Sequence, residues 1–261
     1  GRLKAFFTKE KIHAFLIHLG ISLIIFSILL YFILVEWYPQ PLFANDGGWQ
    51  GIRLIAFVDI VLGPFLTLIV YKKGKPRLKL DLAIIAVIQI SALVSGIIVV
   101  YNEHPIAVVI LNNRLYPITA AQVKKAEIEK TSLYQYSDLR PPLIFVKTPN
   151  DLSKLVDVIS KSFRDGRELR LHGEFYEKLS SENKVLLRQG ALSIDEFIDN
   201  KPNNNKIYQQ FLKGSHYENN SILYFPIYSR YVFGIAVLDN DTFEILEILD
   251  IYPPNFGDKT P

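Results

Sequence analysis

Three stretches of the chain are almost wholly apolar, and their length says what they are. Residues 14–35 are interrupted only by His18, Gly20, Ser22, Ser27 and Tyr31. Residues 52–71 carry Arg53 at one edge and Asp59 inside, and residues 80–101 carry Gln89, Ser91, Ser95 and Gly96. About twenty apolar residues suffice for a helix to cross a hydrocarbon layer about 30 Å thick, so the pattern predicts three membrane spans. Tyr31, Trp37, Tyr38, Trp49, Tyr71 and Tyr101 gather at the ends of these runs, where aromatic side chains favour the headgroup layer. After residue 101 the pattern becomes short apolar runs separated by turn residues, which predicts a second, globular domain over residues 102–261.

Charge gives these spans a direction. The tail carries Arg2, Lys4, Lys9 and Lys11, the loop 36–51 has no Lys or Arg, and the loop 72–79 has Lys72, Lys73, Lys75, Arg77 and Lys79. Basic loops stay inside, so the N-terminus is expected in the cytoplasm and the C-terminal domain in the periplasm of a Gram-negative cell, with the spans in the inner membrane. The basic loop is expected to meet anionic lipid. A signal peptide is the rival reading of the first run, but the run is long and Glu36-Trp37-Tyr38-Pro39 is no small-residue cleavage site.

The net charge of +3 belongs to the membrane part, where ten Lys/Arg face five Asp/Glu over residues 1–101. Residues 102–261 hold nineteen and twenty-one, so no basic face is offered and nucleic acid is not an expected partner. The chain has no cysteine, which removes disulfides, thiolate zinc sites and thiol nucleophiles together.

Within the second domain, residues 106–111 and 114–118 flank Asn112-Asn113 as a hairpin. Thr119 and Gln122 form a capping box for a helix to about Lys130. A strand is expected at 143–147 after Pro141-Pro142, and an amphipathic helix at 151–163. Short helices are expected within 173–187, 194–199 and 207–212, with Pro202-Asn203-Asn204-Asn205 as an exposed loop. Three strands at 222–228, 231–238 and 243–251 end the chain. The predicted class is a three-helix transmembrane bundle followed by an α+β domain with an antiparallel sheet, whose edge could accept a partner's strand.

No enzyme signature emerges. Gly214-Ser215-His216 is not a nucleophile elbow, no glycine-rich phosphate loop is present, and His104, His172 and His216 lack neighbours at metal-ligand spacing. His172-Gly173-Glu174 is an acid–base pair or, more simply, a surface turn. Asp195, Glu196 and Asp199 fit a solvated helix face. No catalytic residue, metal or cofactor is expected.

The polar groups inside the spans are the candidate functional residues, because a carboxylate is expensive in hydrocarbon. At about 1.5 Å per residue, Asp59 lies roughly 10 Å below the outer boundary, level with Ser27 and Ser95. It either faces the bundle and is satisfied by those hydroxyls, or offers a polar contact to a partner's transmembrane helix. Gly63-Pro64 is expected to kink the second span and free the carbonyl of Ile60, with the Gln89 amide reaching that region. His18 is level with Thr67 by the same count. Gly20, Ser27, Gly63, Ser91, Ser95 and Gly96 are small enough for close helix contact. Between the first two spans, Trp37 to Phe43 and the turn Asp46-Gly47-Gly48-Trp49 are too aromatic for a passive linker and suit a membrane or partner surface.

These motifs carry a resemblance. His18-Leu19-Gly20-Ile21-Ser22, Trp37-Tyr38-Pro39 and Asp46-Gly47-Gly48-Trp49-Gln50-Gly51 are three of them. Val58-Asp59-Ile60-Val61-Leu62-Gly63-Pro64, Gly74-Lys75-Pro76 and the stretch from Val100 to Val109 complete the ordered set. Over about the first 110 residues the chain resembles the type IV pilin accessory membrane proteins of the TfpX/TfpZ type. The resemblance implies an inner-membrane factor that helps a cognate major pilin remain stable and be assembled, with other pilus-assembly membrane proteins as further partners beside the lipid bilayer. Partner-binding candidates are then Asp59, Arg53, Trp37, Trp49, Asp46, Pro64 and Gln89. Two other readings are a periplasmic ligand sensor acting through a partner and a non-catalytic subunit of a pilin-modifying system.

Overall fold

The computed structural model describes residues 8–149, 151–198, 201–214, 217 and 221–252. Arg2 and Lys4 of the basic tail, Asp199, Ser215 and His216 lie outside the described residues. Three helices are long and apolar enough to cross a membrane: Lys9–Trp37, Gly48–Val70 and Leu78–Glu103. They run past the apolar runs at most ends because the flanking residues still favour helix, and Thr8 caps the first by accepting from the Lys11 N–H. Most of their large apolar side chains are exposed, Ile24 and Val87 at 64% each, which is stable only in lipid or against a partner.

The second span carries a π-helical turn at Phe57–Leu62, closed by the Gly63 N–H on the Val58 carbonyl five residues back. This turn, immediately before Pro64, shifts the hydrogen-bond register by one residue. In this shifted register the Asp59 carbonyl also lies opposite Pro64, which has no N–H to donate to it.

The chain divides into two compact units, residues 1–38 with 48–102 and residues 39–47 with 103–261. The protein is thus a membrane-anchored α+β protein, and the loop 39–47 belongs to the second unit rather than to the spans. That unit is built on a seven-stranded sheet of order β4-β3-β1-β2-β5-β6-β7. The strands are β1 Pro105–Leu111, β2 Arg114–Thr119, β3 Leu143–Val146, β4 Tyr176–Glu177, β5 Ile222–Tyr228, β6 Phe233–Asp239 and β7 Ile245–Leu249. The sheet is mixed: β1 pairs β2 antiparallel across Asn112-Asn113, both in the left-handed region, but β1/β3 and β2/β5 are parallel. Both parallel pairs join strands far apart in the chain, as crossovers require.

Both faces of the sheet are covered. Val108, Ile110, Leu115, Phe225 and Leu238 pack on one side. On the other, Ala107, Val109, Ile118 and Ile144 form one cluster and Tyr224, Ile235 and Val237 another. Burial on both sides is why β1, β5 and β6 read as continuous apolar runs and not as alternation.

Three expectations are corrected here. The helix after Thr119 stops at Lys125 because Glu127 adopts φ 58, and a 3-10 turn Lys130–Gln135 follows. Pro202-Asn203-Asn204-Asn205 is not an exposed loop but the start of the helix Pro202–Gly214, where proline suits the first turn. Asn204 is buried and donates to the Phe197 carbonyl at 2.8 Å. The two-residue strand β4 falls where short helices are expected; the helix Ser181–Gly190 follows it.

Candidate functional site

The membrane unit holds one connected polar cluster, with side chains from all three spans. His18 and Ser22 stand one turn apart on the same face of the first span. Asp59 and Thr67 come from the second span and Gln89 from the third. The Ser22 hydroxyl donates to Asp59 Oδ1 at 3.1 Å, and Gln89 Nε2 donates to the same oxygen at 2.7 Å. His18 Nε2 donates to Gln89 Oε1 at 2.9 Å, and the Thr67 hydroxyl faces His18 Nδ1 at 2.6 Å. Gln89 Nε2 also lies 3.5 Å from the Asp59 carbonyl opposite Pro64. Asp59 is 1% exposed, and its Oδ2 has no hydrogen-bond partner among the described residues.

The hydroxyls expected beside Asp59 are elsewhere. Ser27 donates to its own span's Leu23 carbonyl and Ser95 to the Ser91 carbonyl. Counting missed both depth and face: Ser27 lies five residues beyond Ser22, about 7.5 Å further along the helix and roughly 140° around it. A serine with no facing acceptor turns back to the preceding turn. Ser22 stands among the polar positions of the first run but was not expected beside Asp59; its spacing of one turn from His18 is the signal that marks it.

Glycine lets the third span approach the second. A Cβ on Gly63 would lie 2.2 Å from Gln89 Oε1, and one on Gly51 2.9 Å from Val100. Gly20 meets nothing within 4 Å, and Ser27, Ser91 and Ser95 are exposed, so these four make no close contact. Pro64 is buried one residue beyond Gly63, whereas Arg53 is exposed and makes no described contact with the cluster. Trp37 packs edge-on against Tyr101 at 5.4 Å, Tyr38 donates to the Val100 carbonyl, and Trp49 is half exposed.

The first and third spans leave a groove of about 810 Å³ floored by this cluster. Ile17, Ile21, Ile25 and Leu93 line its apolar walls, and Lys9, Glu10 and Lys73 stand at one end.

Asp46 belongs to the other unit. Leu42 is fully buried in the core face formed by Val108, Leu115 and Phe225, and Phe43 is buried too, so these two side chains of the loop are not offered to a membrane or partner surface. Asp46 Oδ1 accepts the Arg230 N–H at 3.1 Å, and the Tyr231 N–H donates to the Asn45 carbonyl at 3.2 Å. Gly47, at φ +100, lies under the Tyr231 ring, and Arg230 also pairs with Glu103. Burial pushes the Asp46 carboxyl up to about 6, against the lowering effect of the Arg230 N–H and guanidinium.

A raised carboxyl is favoured when protonated, so the contribution of Asp46 to stability is fully present below the ordinary value near 3.8 and is lost as pH rises through about 6. The difference corresponds to about 3 kcal/mol. Asp46→Asn is therefore expected to unfold like the wild type near pH 4 and at clearly higher temperature at pH 7.5, measured on the detergent-solubilised chain. Equal midpoints at both pH values would refute the assignment.

The pair His172 and Glu174 has a structural task. His172 is fully buried and joins Ser162 Oγ at 3.2 Å to Glu174 Oε1 at 3.2 Å, and Lys161 pairs with Glu174. These contacts hold the helix Leu152–Asp165, none of whose residues is buried, to the domain.

Comparison with known proteins places this geometry. The fimbrial assembly protein of serogroup I from Dichelobacter nodosus is 23% identical over 231 residues, covering 86% of this chain and 89% of that protein. The protein of serogroups C1 and C2 is 36% identical over 96 residues, 36% of this chain and 72% of the relative. That of serogroup E1 is 35% identical over 96 residues, 36% of this chain and 37% of the relative. No family model and no solved structure matches. On the identity with the C1 and C2 protein, most of whose length it covers, the chain belongs to the fimbrial assembly protein family.

Proposed function

We propose that this protein acts in pilus assembly as a non-catalytic membrane factor of the TfpX/TfpZ type, which keeps a cognate major pilin stable and positioned until it is incorporated. The observation that carries the reading is the membrane unit itself, three spans enclosing a groove with a polar floor, in a chain whose relatives are named for fimbrial assembly. In this reading the spans hold the pilin's membrane segment and the C-terminal domain engages the part outside.

The chain runs N-terminus in the cytoplasm and C-terminal domain in the periplasm, across the inner membrane. The distribution of Lys and Arg supports that orientation. So does the second unit: its core includes Leu42 from the loop between the first two spans, so that loop and the C-terminal domain share one side of the membrane.

Removal of the gene is expected to lower the major pilin in the membrane fraction several-fold, read by immunoblot and restored by the full chain. An unchanged pilin level would contradict the stabilising role.

A further inference from the structure

The groove between the first and third spans has walls, a floor and an unmet chemical need. Ile17, Ile21 and Ile90 are each more than half exposed along it, at 53%, 54% and 59%, so it is open at the side. In a bilayer it cannot hold water along such walls and must be filled. Its volume of about 810 Å³ equals roughly two turns of a helix about 10 Å across, and Ala86 and Ser22 are small enough to admit one closely.

The floor narrows the choice of occupant. Every donor of the cluster that reaches Asp59 converges on Oδ1, while Oδ2 is left unpartnered on a side chain 1% exposed. An unsatisfied acceptor at this depth costs several kcal/mol in hydrocarbon unless something supplies a donor. An acyl chain has none; a helix carrying an amine, amide or hydroxyl does.

We infer that this groove seats one apolar membrane-spanning helix of a partner protein, entering between the first and third spans and presenting a hydrogen-bond donor to Asp59. The inference rests on the assembly reading above and names the site through which it operates. His18, Ser22 and Gln89 hold the Asp59 carboxyl in place and leave its second oxygen for the incoming helix. Asp59→Asn keeps an oxygen for Ser22 and Gln89 while it replaces the free acceptor with a donor, so it separates recognition from the integrity of the cluster.

The test is photocrosslinking in intact cells, with a photoreactive residue at Ala86, which lines the groove, or at Val87 on the outer side of the same span. Adducts are resolved by mass and mapped. Ala86 is expected to give a protein adduct in a single membrane-spanning segment, and Val87 little of it. Asp59→Asn and Asp59→Leu are both expected to reduce the Ala86 adduct roughly 3- to 15-fold, as loss of one interhelical hydrogen bond implies. Phospholipid adducts alone, adducts only to a second copy of this chain, or a protein adduct indifferent to Asp59→Asn would overturn the inference. A partner-helix adduct in cells whose piliation survives gene removal would uphold the groove and overturn the assembly reading, so the two fail separately.

Discussion

Gly63→Leu is expected to be the most damaging single change in the membrane unit. A Cβ at this position would lie 2.2–2.5 Å from three atoms of Gln89, and Gln89 is not a free end that can swing away. It is tied to His18 at 2.9 Å and to Asp59 at 2.7 Å, so displacing it breaks the polar cluster and pushes the third span off the second. Overpacking costs about 1–3 kcal/mol and each lost interhelical hydrogen bond about 0.6–1.7, for a sum on the order of 4 kcal/mol. Thermal unfolding of the detergent-solubilised chain is expected to fall by roughly 10 °C. Gly20→Leu is the matched control, since nothing lies within 4 Å of a Cβ there, and it is expected to unfold like the wild type. Equal losses from the two changes would mean that the spans do not pack through Gly63.

Leu42→Asp is expected to do comparable harm to the other unit. Leu42 is 0% exposed within the cluster that covers one face of the sheet. A carboxylate there would sit in the apolar cluster of Val108, Leu115 and Phe225, and an uncompensated buried charge belongs to the class of changes costing more than about 4 kcal/mol. A domain of this size has about 5–15 kcal/mol in all. Limited proteolysis is expected to cut the C-terminal domain of Leu42→Asp at protease levels that leave the wild type intact, while the spans stay protected by detergent. The milder Leu42→Ala should cost about 2–5 kcal/mol. Wild-type resistance in Leu42→Asp would show that the loop is not part of the domain core.

The two results concern features that the sequence made legible to different degrees. The spans were plain, because only lipid-crossing helices need some twenty apolar residues in a row, and the hairpin at Asn112-Asn113 was plain because both asparagines sit at positive φ. The polar cluster was half legible. Counting residues paired His18 with Thr67 correctly, but for Asp59 it pointed to Ser27, about 7.5 Å further along the span than Ser22 and on another face, because a count from the ends of the apolar runs fixes neither the vertical offset of one span against another nor the face.

The apolar loop shows a different limit. Leu42 and Phe43 are apolar because they are buried in a folded domain, and composition alone does not distinguish a domain core from a membrane surface. Parallel pairing of β1 with β3 and of β2 with β5 is set by contacts distant in sequence, which no local pattern encodes. β4 is two residues long and shows no period at all.

The same division runs through function. The unpaired oxygen of Asp59 could not be read from residue types, since an intramembrane carboxylate is equally compatible with full satisfaction. Only the convergence of Ser22 and Gln89 on one of its two oxygens separates the cases.

The measurement that tests the central claim most directly is a count of surface pili by electron microscopy on cells from which the gene has been removed. The account predicts bare or sparsely piliated cells, restored by the full chain and poorly restored by Asp59→Leu. Normal numbers of pili without the gene would contradict it.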